Sequence, residues 1–252
     1  MNRTDRTRRA AFALPLLCAL AAVPALLPAP AFAATSGSGK TATETRTVGD
    51  FQAVATNGSI DLTVRQGAQI SVQVSADDNL LPLLETVVEP GKDGTGVLKV
   101  GWKRGENIWH RGRVIVNVTM PKLGSLATAG SGDIKVEAFQ TPALSVAVAG
   151  SGNARFDGLS TEDLGIRISG SGNVGGKGRT AKLKVSIAGS GDVKLMDMSA
   201  DDVTVSIAGS GDAAVNAGKS LAVSIAGSGD VVYSGDAQVK SSVAGSGSVR
   251  RR

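Results

Sequence analysis

The chain has few aromatic residues and almost no histidine or cysteine, and these absences exclude several kinds of active site. Its 252 residues include two Trp, one Tyr, five Phe, one His and one Cys. Cys18 lies in an apolar N-terminal stretch, so the rest of the chain has no disulfide and no thiolate nucleophile or thiolate metal ligand. His110 lies in a basic loop, where we interpret it as a surface residue rather than the imidazole of a catalytic triad. We predict no catalytic residue, no metal site and no cofactor.

The N-terminus has the three parts of a secretory signal. Basic residues at Arg3–Arg9 precede an apolar run, Ala10–Leu27, and small residues flank Phe32 at the end of the segment. We predict a signal peptide over residues 1–33, cleaved after Ala33. The alternative is a membrane anchor, but two prolines interrupt the run and about 18 residues is short for a span. The predicted location is extracytoplasmic, in the periplasm, with secretion or surface attachment as alternatives.

Charge gives no indication of a nucleic-acid partner. The formal net charge of +5 includes +3 from residues 1–33, so the mature chain carries only +2. No second apolar stretch of spanning length follows, so we predict no transmembrane segment in the mature protein.

The first part of the mature chain reads as a linker followed by strands. Residues 34–46 are small and polar and are interpreted as a flexible linker. Residues 47–123 alternate apolar and polar side chains, which predicts N-terminal, antiparallel strands. We expect a hairpin turn at residues 65–68 and one helical turn within residues 79–86.

A Gly-Ser-Gly element then recurs at intervals of 18 to 20 residues over residues 124–249. The first glycines are Gly130, Gly150, Gly170, Gly189, Gly209, Gly227 and Gly245. Apolar residues stand two, four and six positions before most of these glycines, as in Leu183, Val185 and Ile187. Such a period is typical of stacked repeats that bury their apolar faces against each other. The sequence predicts an all-β domain over residues 47–252, a parallel β-solenoid preceded by the antiparallel segment. An antiparallel barrel or sandwich is the alternative.

The repeats resemble a known bacterial family. The hexapeptide Ile-Ala-Gly-Ser-Gly-Asp occurs at residues 187–192, 207–212 and 225–230. The segment 114–123, leading into 129–134, and the segment 231–235 are also similar to that family, called "putative auto-transporter adhesin, head GIN domain". The resemblance covers residues 47–249. It implies a β-solenoid-like fold in exported or envelope proteins and little about activity.

One position in the repeat carries a column of acids and amides. Its members are Asp133, Asn153, Asn173, Asp192, Asp212 and Asp230. We interpret them as a solvated ladder that bonds backbone amides at the corners. Calcium is the alternative, but each repeat supplies one side chain whereas calcium takes six to eight oxygens.

The candidate binding residues lie in the loop between two N-terminal strands, where both tryptophans stand among cationic side chains. They are Trp102, Arg104, Trp109, Arg111 and Arg113. Aromatic faces with guanidinium groups suit sugars or anionic envelope polymers. The alternative is that the tryptophans only cover the end of the core. We predict a non-enzymatic, adhesin-like binding or structural module of the cell envelope that contacts glycans or proteins. A polysaccharide-acting β-helix enzyme is the alternative.

Overall fold

The computed structural model describes residues 34–91 and 94–252, which form one compact unit from Ala34 onward. The predicted signal peptide lies outside the described residues. The described residues contain twenty strands and one 3-10 turn, Leu81–Leu83. The strands are β1 Thr35–Ser36, β2 Thr41–Arg46, β3 Ala53–Gly58, β4 Ile60–Gln66, β5 Ser71–Asp77, β6 Leu84–Pro90, β7 Gly96–Trp102, β8 Ile108–Trp109, β9 Val114–Met120, β10 Ser125–Gly130, β11 Ile134–Val136, β12 Phe139–Gln140, β13 Ala143–Gly150, β14 Ala154–Gly170, β15 Val174–Gly189, β16 Val193–Gly209, β17 Ala213–Gly227, β18 Val231–Ser234, β19 Gln238–Gly245 and β20 Val249–Arg251.

The parallel β-solenoid is confirmed. Strands β13 to β17 stack in parallel, and each Gly-Ser-Gly corner pairs with the same corner of the next coil, as Gly189 does with Gly209. The carbonyl oxygen of Gly170 accepts the N–H groups of Ser190 and Gly191 at 2.9 and 3.1 Å. Each corner is thus held by the corner before it, which explains why the motif repeats at a fixed interval.

The core runs along the inside of the coils. Inward-facing columns of β-branched and leucine side chains are buried, including Ile168, Ile187, Ile207 and Ile225 in one register column. Period-two alternation along each strand puts these residues inside and the intervening Ser, Lys and Thr residues outside. Within the described residues, no helix reaches the length and hydropathy of a membrane span.

The N-terminal strands close one end of this stack. Strands β3 and β4 form an extra coil under β10 and β11, with the corner at Gly58. Strands β7 and β9 follow as parallel partners of β3 and β4, and antiparallel pairs β6–β7, β5–β9 and β2–β5 complete the end. The segment before the repeats thus contains the predicted antiparallel pairing, and its strands β3 and β4 also join the parallel stack.

Two expectations for the N-terminal region are corrected. Residues 34–46, interpreted as a flexible linker, contain β1 and β2, and β2 pairs with β5 over Thr41–Arg46. Alternating threonines in this segment favour a strand, and the open edge of β5 supplies its partner. The hairpin expected at residues 65–68 is also wrong, because β9 lies between β4 and β5. The expected helical turn is the 3-10 turn at Leu81–Leu83.

Candidate functional site

The aromatic and cationic loop lies at the closed, N-terminal end of the solenoid. It joins β7, which ends at Trp102, to β9, which begins at Val114. Its middle forms β8, which pairs in parallel with β1. The N–H of Gly37 donates to the carbonyl oxygen of Trp109 at 3.0 Å. The segment at residues 35–37 is therefore fixed against the loop.

The structure places the two tryptophans in different surroundings. Trp102 is half-buried against the core, and the centroid of its ring lies 5.6 Å from the centroid of the His110 ring. Trp109 is 53% exposed, and the guanidinium carbon of Arg111 lies 5.0 Å from its ring centroid. This distance is typical of a cation–π contact. Trp102 therefore packs as the alternative interpretation expected, whereas Trp109 presents its indole to solvent.

The three arginines of the predicted site also differ in their contacts. Arg113 forms an ion pair with Asp61, with 2.7 Å between Nη2 and Oδ2. Arg104 lies exposed in the turn after β7, and Arg111 covers Trp109. Within residues 34–91 and 94–252, neither Arg104 nor Arg111 forms an ion pair. Of the five predicted residues, only Trp109 and Arg111 are shown in contact with each other.

A pocket of about 490 Å³ opens beside this pair. Three parts of the chain line it: residues 37–39 with Thr41 at the start of β2, Asp77 at the end of β5, and three residues of the loop. Lining residues are Gly37, Ser38, Gly39, Thr41, Asp77, Trp109, Arg111 and Gly112. We call this the Trp109 pocket.

Asp77 is the buried acid of the Trp109 pocket, with 6% of its surface exposed. A β-carbon at Gly37 would overlap its Oδ2 atom, and one at Gly112 would lie 3.1 Å from its Oδ1 atom. Glycine at these two positions leaves the room that the carboxylate occupies. Among the described residues, no side chain or backbone group forms a hydrogen bond or ion pair with this carboxylate.

The rim of the pocket is tied to the residues that follow Asp77. The backbone N–H of Ser38 donates to Asn79 Oδ1 at 2.9 Å, and Asn79 Nδ2 donates to the carbonyl oxygen of Ser36 at 2.8 Å. The Ser38 hydroxyl donates to Asp78 and lowers the pKa of that carboxyl group. The Asp78 carboxylate thus has a hydrogen-bond partner within the protein, in contrast to the Asp77 carboxylate.

A second groove, of about 660 Å³, runs along the return side of the coils. It contains a column of threonines whose hydroxyl groups all donate to backbone carbonyl oxygens. Thr141 bonds Leu123 at 2.7 Å, and Thr180 bonds Lys182 at 2.9 Å. Arg179 also bonds Ser160 at 3.0 Å. These hydroxyl groups and the Arg179 side chain therefore have partners within the protein, and two acids, Glu162 and Asp201, also line the groove.

The acid and amide column forms the predicted ladder to backbone amides. Each side-chain oxygen accepts the N–H of the same position one coil later: Asp192 from Asp212 at 3.2 Å, and Asp212 from Asp230 at 2.8 Å. The column begins one coil earlier than expected, at Asp61, and ends at Ser248. Across the described residues, no three His, Cys, Asp or Glu side chains group as metal ligands.

Sequence reasoning missed Asp77 and residues 37–41 as lining of the pocket. The former stands as an ordinary polar residue after a strand, and the latter fall in the segment interpreted as a linker. The paired glycines, Gly37 and Gly39, were the available signal, but small residues also suit a linker.

The chain belongs to the family described as "Putative auto-transporter adhesin, head GIN domain", which it matches over residues 50–237. The expected resemblance is therefore confirmed.

Solved structures with the same fold come from Bacteroides and Parabacteroides species. A "putative adhesin" from Bacteroides fragilis superposes with a TM-score of 0.79 at 21% identity, covering 86% of this chain and 100% of that chain. A "putative lipid binding protein" from Parabacteroides distasonis has a TM-score of 0.70 at 25% identity, and the match covers 87% of this chain and 100% of that chain. A "putative adhesin" from Parabacteroides merdae has a TM-score of 0.68 at 24% identity, and the match covers 86% of this chain and 98% of that chain. The comparison with curated proteins found no match.

Proposed function

We propose that this protein is an exported, non-enzymatic binding module of the bacterial cell envelope that contacts glycans or other envelope proteins through the Trp109 pocket. The observation that carries the proposal is the exposed Trp109, stacked with Arg111 beside a pocket that contains a buried carboxylate. Large exposed aromatic side chains on a rigid β scaffold are typical binding anchors.

The family and the names of its structural neighbours support binding rather than catalysis. The family is described as adhesin-like, and the neighbours are described as adhesins or a lipid-binding protein. A polysaccharide-acting enzyme would use a pair of carboxylates about 5 to 9.5 Å apart across a sugar bond. Among the residues that line the Trp109 pocket, Asp77 is the single carboxylate.

Polysaccharide binding tests the proposed site. Purified envelope polysaccharide should pull down the wild-type protein, and Trp109→Ala and Arg111→Ala should each reduce the retained fraction severalfold. Arg179→Ala, in the second groove, is the matched control and should bind like wild type. If Arg179→Ala loses binding while Trp109→Ala keeps it, the second groove is the site and the proposal is wrong.

Export needs a separate experiment. Fractionation of cells that produce a C-terminally tagged full-length chain should recover the shortened protein outside the cytoplasm. Recovery of the uncleaved chain in the cytoplasm would contradict the export part of the proposal.

A further inference from the structure

The Asp77 carboxylate has an unusual position for an acid. Its residue is nine-tenths buried, lines an open pocket and has no hydrogen-bond or ion-pair partner among the described residues. Buried carboxylates are normally paired or hydrogen-bonded, because removing their charge from water is costly. A ligand that donates hydrogen bonds in this pocket would supply the missing partners.

We propose that the Trp109 pocket binds one sugar ring of a neutral glycan, and that Asp77 accepts hydrogen bonds from two neighbouring ring hydroxyls. This inference rests on the proposed function and specifies its ligand. Hydrogen bonds to an ionised acceptor are about twice as strong as those between neutral groups. Two hydroxyl donors on adjacent ring carbons match the two oxygens of a carboxylate.

Trp109 supplies the apolar surface that such a ring needs. Arg111 covers one face of the indole, yet 53% of the residue stays exposed and it lines the pocket. The C–H face of a sugar can therefore pack on the remaining indole surface while its hydroxyls point to Asp77. Arg111 adds donors for a ring or hydroxyl oxygen at the rim.

The charges around the pocket disfavour other ligand classes. A phosphate or another anion would meet the Asp77 carboxylate. A basic peptide would meet the guanidinium group of Arg111, which lines the pocket. Calcium takes six to eight oxygen ligands, and the pocket lining offers a single carboxylate. A neutral polyhydroxyl ligand avoids all three conflicts.

The experiment is a calorimetric titration of the purified protein with chitotriose, maltotriose and mannotriose. At least one should bind wild type, and Asp77→Asn should weaken that binding tenfold or more. Asp236→Asn, which removes an exposed carboxylate at the other end of the solenoid, is the control and should leave the affinity unchanged. Melting temperatures of both variants check that they fold.

A second measurement uses only wild-type protein. Deoxy analogues of the bound sugar, each lacking one ring hydroxyl, should show tenfold weaker binding for two adjacent positions and little change elsewhere. Uniform affinities across the analogues would overturn the proposal.

The variants separate this inference from the proposed function. If Trp109→Ala loses binding but Asp77→Asn binds like wild type, the role of Asp77 is refuted and the proposed function stands. If none of the three oligosaccharides binds at 10 mM and a lysine-rich peptide binds in an Asp77-dependent way, the glycan assignment is wrong.

Discussion

Replacement of the second glycine of a central corner tests the stacked-coil packing. Gly211 is buried, and a β-carbon there would overlap the carbonyl oxygen of Gly191 and lie 2.9 Å from Ile187 Cγ2. A glycine can be required either by a positive φ or by the close approach of a neighbouring backbone. The close approach is what the structure shows, because the positive φ, +135°, belongs to Gly209, the first glycine of the corner. The cost of Gly211→Ala is therefore steric.

The size of the effect follows from which atoms must move. The colliding oxygen belongs to the backbone of the preceding coil, which is hydrogen-bonded about 4.8 Å away and cannot rotate aside. Overpacking of this kind costs about 1–3 kcal/mol. Gly247→Ala, in the terminal coil, meets the same overlap with Gly229 but should cost less, because that coil has a neighbour on one side only.

The neighbouring residue supplies the matched control. The Asp212 side chain makes a hydrogen bond to the next coil, because its Oδ1 atom accepts the Asp230 N–H at 2.8 Å. Asp212→Ala should therefore cost about 0.5–1.5 kcal/mol, the net value of one hydrogen bond. Asp212→Asn keeps an acceptor oxygen, as Asn153 and Asn173 do elsewhere in the column, and should lie within about 0.5 kcal/mol of wild type.

Urea unfolding followed by circular dichroism measures the free energy of unfolding of all four variants. The expected order of destabilisation is Gly211→Ala, then Asp212→Ala, then Asp212→Asn, with Gly247→Ala below Gly211→Ala. Equal values for Gly211→Ala and Asp212→Asn would refute the close packing of the corners.

Three further predictions concern the core, metal ions and pH. Thr128 is buried, and none of the described residues forms a hydrogen bond with its hydroxyl, so Thr128→Val should stabilise the protein by about 1 kcal/mol. Thr161→Val loses a hydrogen bond to a backbone carbonyl and should destabilise the protein by a similar amount. Millimolar calcium or EDTA should leave the melting temperature unchanged; a site occupied at a hundred times its Kd would add about 2.7 kcal/mol. The Ser248 hydroxyl and amide lower the pKa of Asp230, so this carboxylate stabilises the last coil above about pH 4 and the contribution is lost as pH falls further. Between pH 5 and pH 3, the melting temperature of Asp230→Asn should therefore fall less than that of the wild-type protein. An equal fall in both proteins would contradict this.

The repeat region was predictable because structurally equivalent residues recur at a nearly fixed interval in the sequence. Residues that share a column in the sequence, such as Leu183 and Val203, are register partners in the solenoid. The corner at Gly58 was missed because it lacks the second glycine: Ile60 stands at the position of Gly132, whose β-carbon would overlap the Ile60 carbonyl oxygen.

The N-terminal end was less predictable because its pairings are long-range. Strand β9 lies between β4 and β5, which follow each other in the chain. No local sequence pattern predicts this arrangement. The same limit applies to the site. Trp109 and Arg111 are close in sequence and were found, whereas Asp77 reaches the loop through long-range strand pairings, above all that of β5 with β9.

Tryptophan fluorescence tests the proposed binding at the Trp109 pocket most directly, because the chain has only two tryptophans. In Trp102→Phe the exposed Trp109 is the sole indole, and in Trp109→Phe only the half-buried Trp102 remains. Titration with purified envelope polysaccharide should give a saturable blue shift in Trp102→Phe, as the ligand displaces water from the indole, and no shift in Trp109→Phe. A polysaccharide that binds the wild-type protein and leaves the Trp109 emission unchanged would contradict the account.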